Sequence, residues 1–240
     1  MRRLSIFAFT AMIVSGCAAP KPDNDQVAMQ DYEQHLGPLG VEVDLVKHSK
    51  QVEWGSGFSV GDDYVLTAAH VVDSAGKETE IVVRYYDERV PAHVAAIGNR
   101  SNQDVAVLKL DRPIVALPMV PRVPLCQSAM EPGHPLAVVG AGGEFRSYGL
   151  PTSNRTGASV LKMDALSTYF APGASGSAVV SLERECIAGV VSQQNKDDKS
   201  MGHPPGGIVH ATDYKTYISD LAAVTAIFGT IHPSQAAQSK

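Results

Sequence analysis

The chain has 240 residues, 44% of them hydrophobic and 19% charged, with a formal net charge of -5. This suits one large or two small globular domains with a sizeable core. The acidic balance offers no basic face for nucleic acid, and the low aromatic content (6%) offers no stacking platform for bases. Three cysteines are too few for a disulfide scaffold.

The N-terminal stretch MRRLSIFAFTAMIVSGC has a basic start, Arg2 and Arg3, followed by an apolar run from Leu4 to Val14. A bilayer span needs about 20 residues, so the run is too short to cross; it has the layout of a secretory signal. Its end, Val14-Ser15-Gly16-Cys17, resembles the lipobox of bacterial lipoproteins. That resemblance implies a signal peptide over residues 1–16 and a lipidated Cys17 as the new N-terminus. More than one acyl chain there is enough for stable membrane attachment. Ala18 follows Cys17, which by the sorting rule of such lipoproteins implies the outer membrane, facing the periplasm. Residues 17–40 are polar and Pro-containing and read as a tether, with a short helix around residues 26–35.

From Val41 the pattern becomes one of short apolar runs separated by Gly, Asn, Asp and Pro. GSGFSV, DYVLTAA, EIVVRYY, RVPAHVAAIG and DVAVLKL form a first set. PLAVVGAG, FRSYGL, ASVLKM, SAVVSL, CIAGVVSQ and GGIVHA form a second. Many short strands with turn signals predict an all-β sandwich or barrel. The Pro-rich segment between the sets reads as a linker over 113–125, dividing a β-domain at 41–112 from a second at 126–228. Tyr214, Tyr217, Ile218, Leu221 and Val224 recur at helical spacing and predict a C-terminal helix. Thr212 or Asp213 would cap it and Gly229 would end it, before a tail at 229–240.

Chemistry concentrates in three stretches. In APGASGSAVV, Ser175 and Ser177 sit among small residues, which fits either a plain turn or a nucleophile. A serine hydroxyl needs a neighbouring base to react at neutral pH. TAAHVV supplies His70 after a strand, and NQDVAVLKL supplies Asp104 at the mouth of another.

Together these stretches resemble the three motifs of the trypsin-like serine proteases, in that family's order. The spacing is similar to that of the compact bacterial, Deg-type envelope members. The resemblance implies a chymotrypsin-like double barrel, two six-stranded-type β-barrels with a C-terminal helix, acting as a serine endopeptidase. It implies His70 as base, Asp104 as its orienting acid and Ser175 as nucleophile, with the N–H groups of Gly173 and Ser175 as oxyanion hole. Tyr169 and Phe170 would lie near the base of the specificity pocket. Ser192, Gln193 and Gln194 would form one wall and Gly207 the other side. No acidic residue stands at that base, so a small or apolar side chain is the expected preference. Ala174 stands where zymogens of the family carry aspartate, so activation by N-terminal insertion is not expected. The oxyanion loop would be ordered intrinsically or by a regulatory partner.

Cys126 and Cys186 remain in the mature region, as a disulfide in an oxidising envelope or as two buried thiols. No histidine pair has close zinc-site spacing, so no metal and no cofactor is expected. The expected partners are a protein or peptide substrate and, through the lipid, a membrane. The alternatives are a catalytically silent protease fold serving as a binding module, and a self-processing protease.

Overall fold

The structure is a computed structural model and describes residues 34–61, 63–98, 103–117, 123–128, 136–141, 145–148, 151–152, 164–166, 172–194, 216–219 and 221–228. A 3-10 helix, Gly37–Leu39, leads into six antiparallel strands. These are β1 (Gly40–Lys47), β2 (Lys50–Ser59), β3 (Tyr64–Thr67), β4 (Thr79–Tyr85), β5 (Glu88–Ile97) and β6 (Ala106–Leu110), with the one-turn helix α1 (Ala69–Val72) after β3. They close into a barrel in the order β1-β2-β3-β6-β5-β4. Alternation builds it, because successive side chains of a strand face opposite sides. In β1, Val41, Val43 and Leu45 point into the core; in β5, Val90 does so while Arg89, Pro91 and His93 face outward.

The second unit is a seven-stranded antiparallel sheet. Its strands are β7 (Leu136–Val139), β8 (Phe145–Tyr148), β9 (Pro151–Thr152), β10 (Asp164–Leu166), β11 (Ala178–Ser181), β12 (Cys186–Gln194) and β13 (Thr216–Ser219), in the order β8-β7-β11-β12-β13-β10-β9. The described part of β7, β11 and β12 is apolar almost throughout because these strands are buried on both faces. Val139, Ala178, Val180, Ile187 and Val190 join the core shared with the first barrel. The alternate residues Leu136, Val138, Val179, Ala188 and Val191 form a second cluster with Cys126 and Cys186. A closed barrel beside a second antiparallel sheet is the expected all-β, double-barrel class.

Two expectations change. The predicted C-terminal helix is shorter: α2 spans only Leu221–Phe228, and Thr216–Ser219 is a strand. Val190 and Val191 of β12 pair with Ser219 and Ile218, while β10 pairs on the other side. Two open sheet neighbours outweigh the helical spacing of Tyr217 and Ile218, both strand-favouring residue types. The strand runs singled out in the sequence also omit β1 and the Lys50–Trp54 part of β2, which form a hairpin. Residues 34–36 are helical; the rest of the expected short helix, the ASVLKM and GGIVHA runs, and residues 212–214 lie outside the described residues.

Asp44 and Glu42, on β1, meet Arg84 of β4. Asp44 is almost fully buried; it accepts a 2.6 Å hydrogen bond from Gln51 and lies 3.6 Å from Arg89. Burial, with the neighbouring Glu42, pushes its carboxyl up to about 6 against the pull of the two arginines. A carboxyl whose folded-state pKa is raised costs stability as pH rises through the window between the unfolded and folded values. Between pH ~4 and ~6, wild type should therefore lose stability relative to Asp44→Asn in urea titrations. Parallel pH profiles for the two proteins would contradict this.

Cys126 and Cys186 form a disulfide across 60 residues of sequence. On the loop-entropy model, closing a loop of that size contributes about 4 kcal/mol. Reduction should lower the unfolding free energy by that order, and an unchanged denaturation midpoint would show that the bridge does not stabilise the fold.

Candidate active site

β3 lies between β2 and β6 in the barrel. Thr67, at the end of β3, pairs with Ala106, at the start of β6. The chain leaving β3 therefore runs beside the chain entering β6. The first of these segments carries His70, in α1, three residues past Thr67, and the second carries Asp104, two residues before Ala106. The His70 backbone N–H donates to Asp104 Oδ1 at 2.8 Å, and Nδ1 lies 2.7 Å from Oδ2. With Nδ1–H donating to the carboxylate, a neutral imidazole keeps its lone pair on Nε2.

Asp104 is 1% exposed. Burial alone would push its carboxyl up. The hydrogen bond and charge of His70, the Ser192 hydroxyl and the His70 backbone N–H together outweigh burial and hold it below its ordinary value. The Ser192 hydroxyl comes from β12, in the second unit, and donates to Oδ2. The Ser192 side chain, assigned by sequence to the pocket wall, is thus buried against Asp104.

Ser175 sits on a turn closed by Ser177 N–H donating to Ala174 O at 3.0 Å. Gly173 and Gly176 flank it at φ +93° and +92°, a region that costs a side chain strain. Space also requires glycine at both: a Cβ on Gly176 would collide with Ser56 O and Thr67 Oγ1, and one on Gly173 with the Trp54 indole. Gly176 N–H donates to Val191 O at 2.8 Å, and Ser56 N–H of β2 donates to Ser175 O at 2.7 Å. The Ser175 hydroxyl donates to Ser192 O at 3.1 Å. Among the described residues no hydrogen bond joins it to His70, and the N–H groups of Gly173 and Ser175 have no acceptor.

His70 and Ser192 thus meet on the Asp104 carboxylate, and Ser175 is linked to them through its hydrogen bond to Ser192 O. Gln193 and Gln194 end β12, with Gln194 paired to Thr216. Tyr169, Phe170, Gly207 and Cys17 lie outside the described residues. The sequence reading missed Trp54, Ser56 and Thr67. For Trp54 and Ser56 the signal was the WGSG of β2, which reads as an ordinary glycine-rich strand until its partner loop is known; Thr67, at the end of β3, carried none.

A fold of this kind, with an imidazole held on a buried carboxylate close to a serine turn, belongs to the class of serine endopeptidases. The chain is a member of the trypsin-like peptidase domain family, whose sequence model matches residues 55–190. Solved structures of the Rv3671c protease from M. tuberculosis share the fold. Its active form is 20% identical, with a TM-score of 0.58 over 95% of this chain and 93% of that one. An inactive form is 19% identical, with a TM-score of 0.57 over 88% and 96%. The inactive form of a mutant is 20% identical, with a TM-score of 0.59 over 91% and 98%. No curated protein matches the sequence.

A depressed carboxylate contributes stability above its unfolded value, which is lost as pH falls through the folded one. Ser192→Ala removes one donor to Asp104 and lessens the depression. Acid unfolding should therefore begin at higher pH in Ser192→Ala than in wild type. Coincident acid transitions, followed by circular dichroism, would show that the hydroxyl does not hold the charge.

Proposed function

We propose that this peptidase hydrolyses peptide bonds with His70, Asp104 and Ser175 through an acyl-enzyme. The observation that carries the reading is the 2.7 Å contact between His70 Nδ1 and the buried Asp104. It leaves Nε2 as the free base on the side of the imidazole away from the carboxylate. The Ser175 hydroxyl turns from Ser192 O toward Nε2, gives it the proton and attacks the scissile carbonyl carbon. The oxyanion is received by the N–H groups of Gly173 and Ser175, which have no acceptor among the described residues. One such donor is typically worth roughly 10²–10³ in turnover.

His70 then passes the proton to the leaving amine, and the C–N bond breaks. Water repeats the sequence on the acyl-enzyme: it loses a proton to His70 and attacks the ester carbonyl, the C–O bond to Ser175 breaks, and His70 returns the proton to Ser175 Oγ. Asp104 stays ionised throughout and stabilises the imidazolium. The Gln193–Gln194 end of β12 would receive substrate backbone as an added strand. Tyr169, Phe170 and Gly207 would shape a pocket for a small or apolar side chain.

The anchoring belongs to this proposal too, and it rests on the sequence. Cys17 would carry the lipid and hold the catalytic units at the outer membrane, facing the periplasm. Among the described residues no helix is long and apolar enough to cross a membrane.

A fluorophosphonate probe on the full chain in detergent tests the triad. Labelling should map to Ser175, vanish in Ser175→Ala and persist in Ser177→Ala. In peptidases of this type, loss of the orienting carboxylate costs about 10⁴-fold in turnover, so Asp104→Asn should nearly abolish peptide cleavage. Absence of labelling in folded wild type would point instead to a silent, binding use of the fold.

A further inference from the structure

Strand β2 of the first barrel reaches across to the serine turn of the second unit. Ser56 is 3% exposed, and its backbone and hydroxyl are all engaged. Its N–H donates to Ser175 O at 2.7 Å, and its carbonyl accepts from Thr67 Oγ1 at 2.7 Å. Its hydroxyl donates to Gly173 O at 2.7 Å and accepts from Ala141 N–H at 3.1 Å. Trp54 lies two residues earlier, so its side chain leaves the same face of the strand. Its indole covers Gly173 so closely that a Cβ there would collide with the ring. Gly55, between them, faces the other way, where a Cβ would fall 2.9 Å from Ser175 O and 2.7 Å from Val71 Cγ2.

These contacts fix one peptide unit. The Gly173 carbonyl belongs to the peptide between Gly173 and Ala174, which separates the Gly173 N–H from the Ser175 N–H in the chain. Glycine at φ +93° has the freedom to rotate that unit. Rotation would break the bond to Ser56 and strand a buried hydroxyl without its acceptor, which opposes it. The side chain of Ala174 carries no charge and packs on the apolar cluster around Cys126 and Cys186. No ion pair at that position is available to order the turn.

We propose that Ser56 and Trp54 are positioning residues: one strand face of the first barrel sets the oxyanion loop of the second unit. The loop is thereby ordered by the fold itself, without a new chain terminus and without a charge at position 174. This rests on the reading of the Gly173 and Ser175 N–H groups as the oxyanion site.

The test uses the full chain, with Ser56→Ala, Trp54→Ala and, as a control on the exposed part of the same strand, Val52→Ala. In Ser56→Ala, kcat on a peptide substrate should fall by about 10²-fold, the scale of a misplaced reacting geometry, with KM within about twofold. Trp54→Ala should shift kcat in the same direction, and because Trp54 is half exposed this variant keeps the question open to test if Ser56→Ala does not fold. Val52→Ala should match wild type.

Two readouts do not depend on catalysis. Trp54 is the only tryptophan of the chain, so its emission should move to the red and become more open to quenching in Ser56→Ala. Exchange of the Gly176 and Ser177 amides should quicken in the same variant. Wild-type kcat, or unchanged emission and exchange, in folded Ser56→Ala would overturn the proposal. Wild type that cleaves no peptide and takes no probe would instead sink the triad reading, and the emission and exchange measurements would still decide the positioning role.

Discussion

A carboxylate cannot be carried at 1% exposure unless hydrogen bonds replace the water it has lost, and Asp104 is the place where this fold meets that demand. Its donors come from both β units: backbone and ring N–H of His70 from the barrel, and the Ser192 hydroxyl from β12 of the neighbouring sheet. The requirement to satisfy one charge therefore aligns the two units. It also fixes His70 by two bonds to the same side chain, one from its backbone N–H and one from its ring. The barrel's strand order makes this possible, because β3 and β6 are neighbours and their ends deliver His70 and Asp104 to one spot.

The second unit has its own means of holding Ser192 in place. The segment at 123–126 is tied to the start of β12 by the disulfide, by Cys126 N–H on Ile187 O at 3.0 Å and by Ile187 N–H on Pro124 O at 2.8 Å. β12 then runs between β11 and β13, buried on both faces, to Ser192. Its Val191 receives the Gly176 N–H, and its Ser192 carbonyl receives the Ser175 hydroxyl. One strand thus touches the acid and the serine turn within two consecutive residues. Against that backbone, β2 makes the opposing contacts, so the turn is gripped from both units.

How much of this could be read from the sequence follows from the range of each interaction. Apart from β1 and the first half of β2, the barrel strands were legible because alternation and turn residues are local signals, as in RVPAHVAAIG. His70, Asp104 and Ser175 stood out as candidates because each sits in a short stretch that resembles a family motif. Ser192 against Asp104 and Ser56 against Gly173 were not, since these partners are 88 and 117 residues apart. Nothing in a serine on a strand announces which distant polar group it will meet. Thr216–Ser219 misled for a related reason. Its spacing fits a helix, and only the free edges offered by β10 and β12 make it a strand.

The most direct test of the account is the low-field proton NMR signal of the His70 Nδ1–H in the full chain. If Asp104 organises the site, wild type shows that signal near neutral pH, Asp104→Asn loses it, and Ser192→Ala shifts it because the carboxylate has lost a donor. A folded wild type with no such proton, or one that is indifferent to Asp104→Asn, would show that the buried carboxylate does not hold the imidazole.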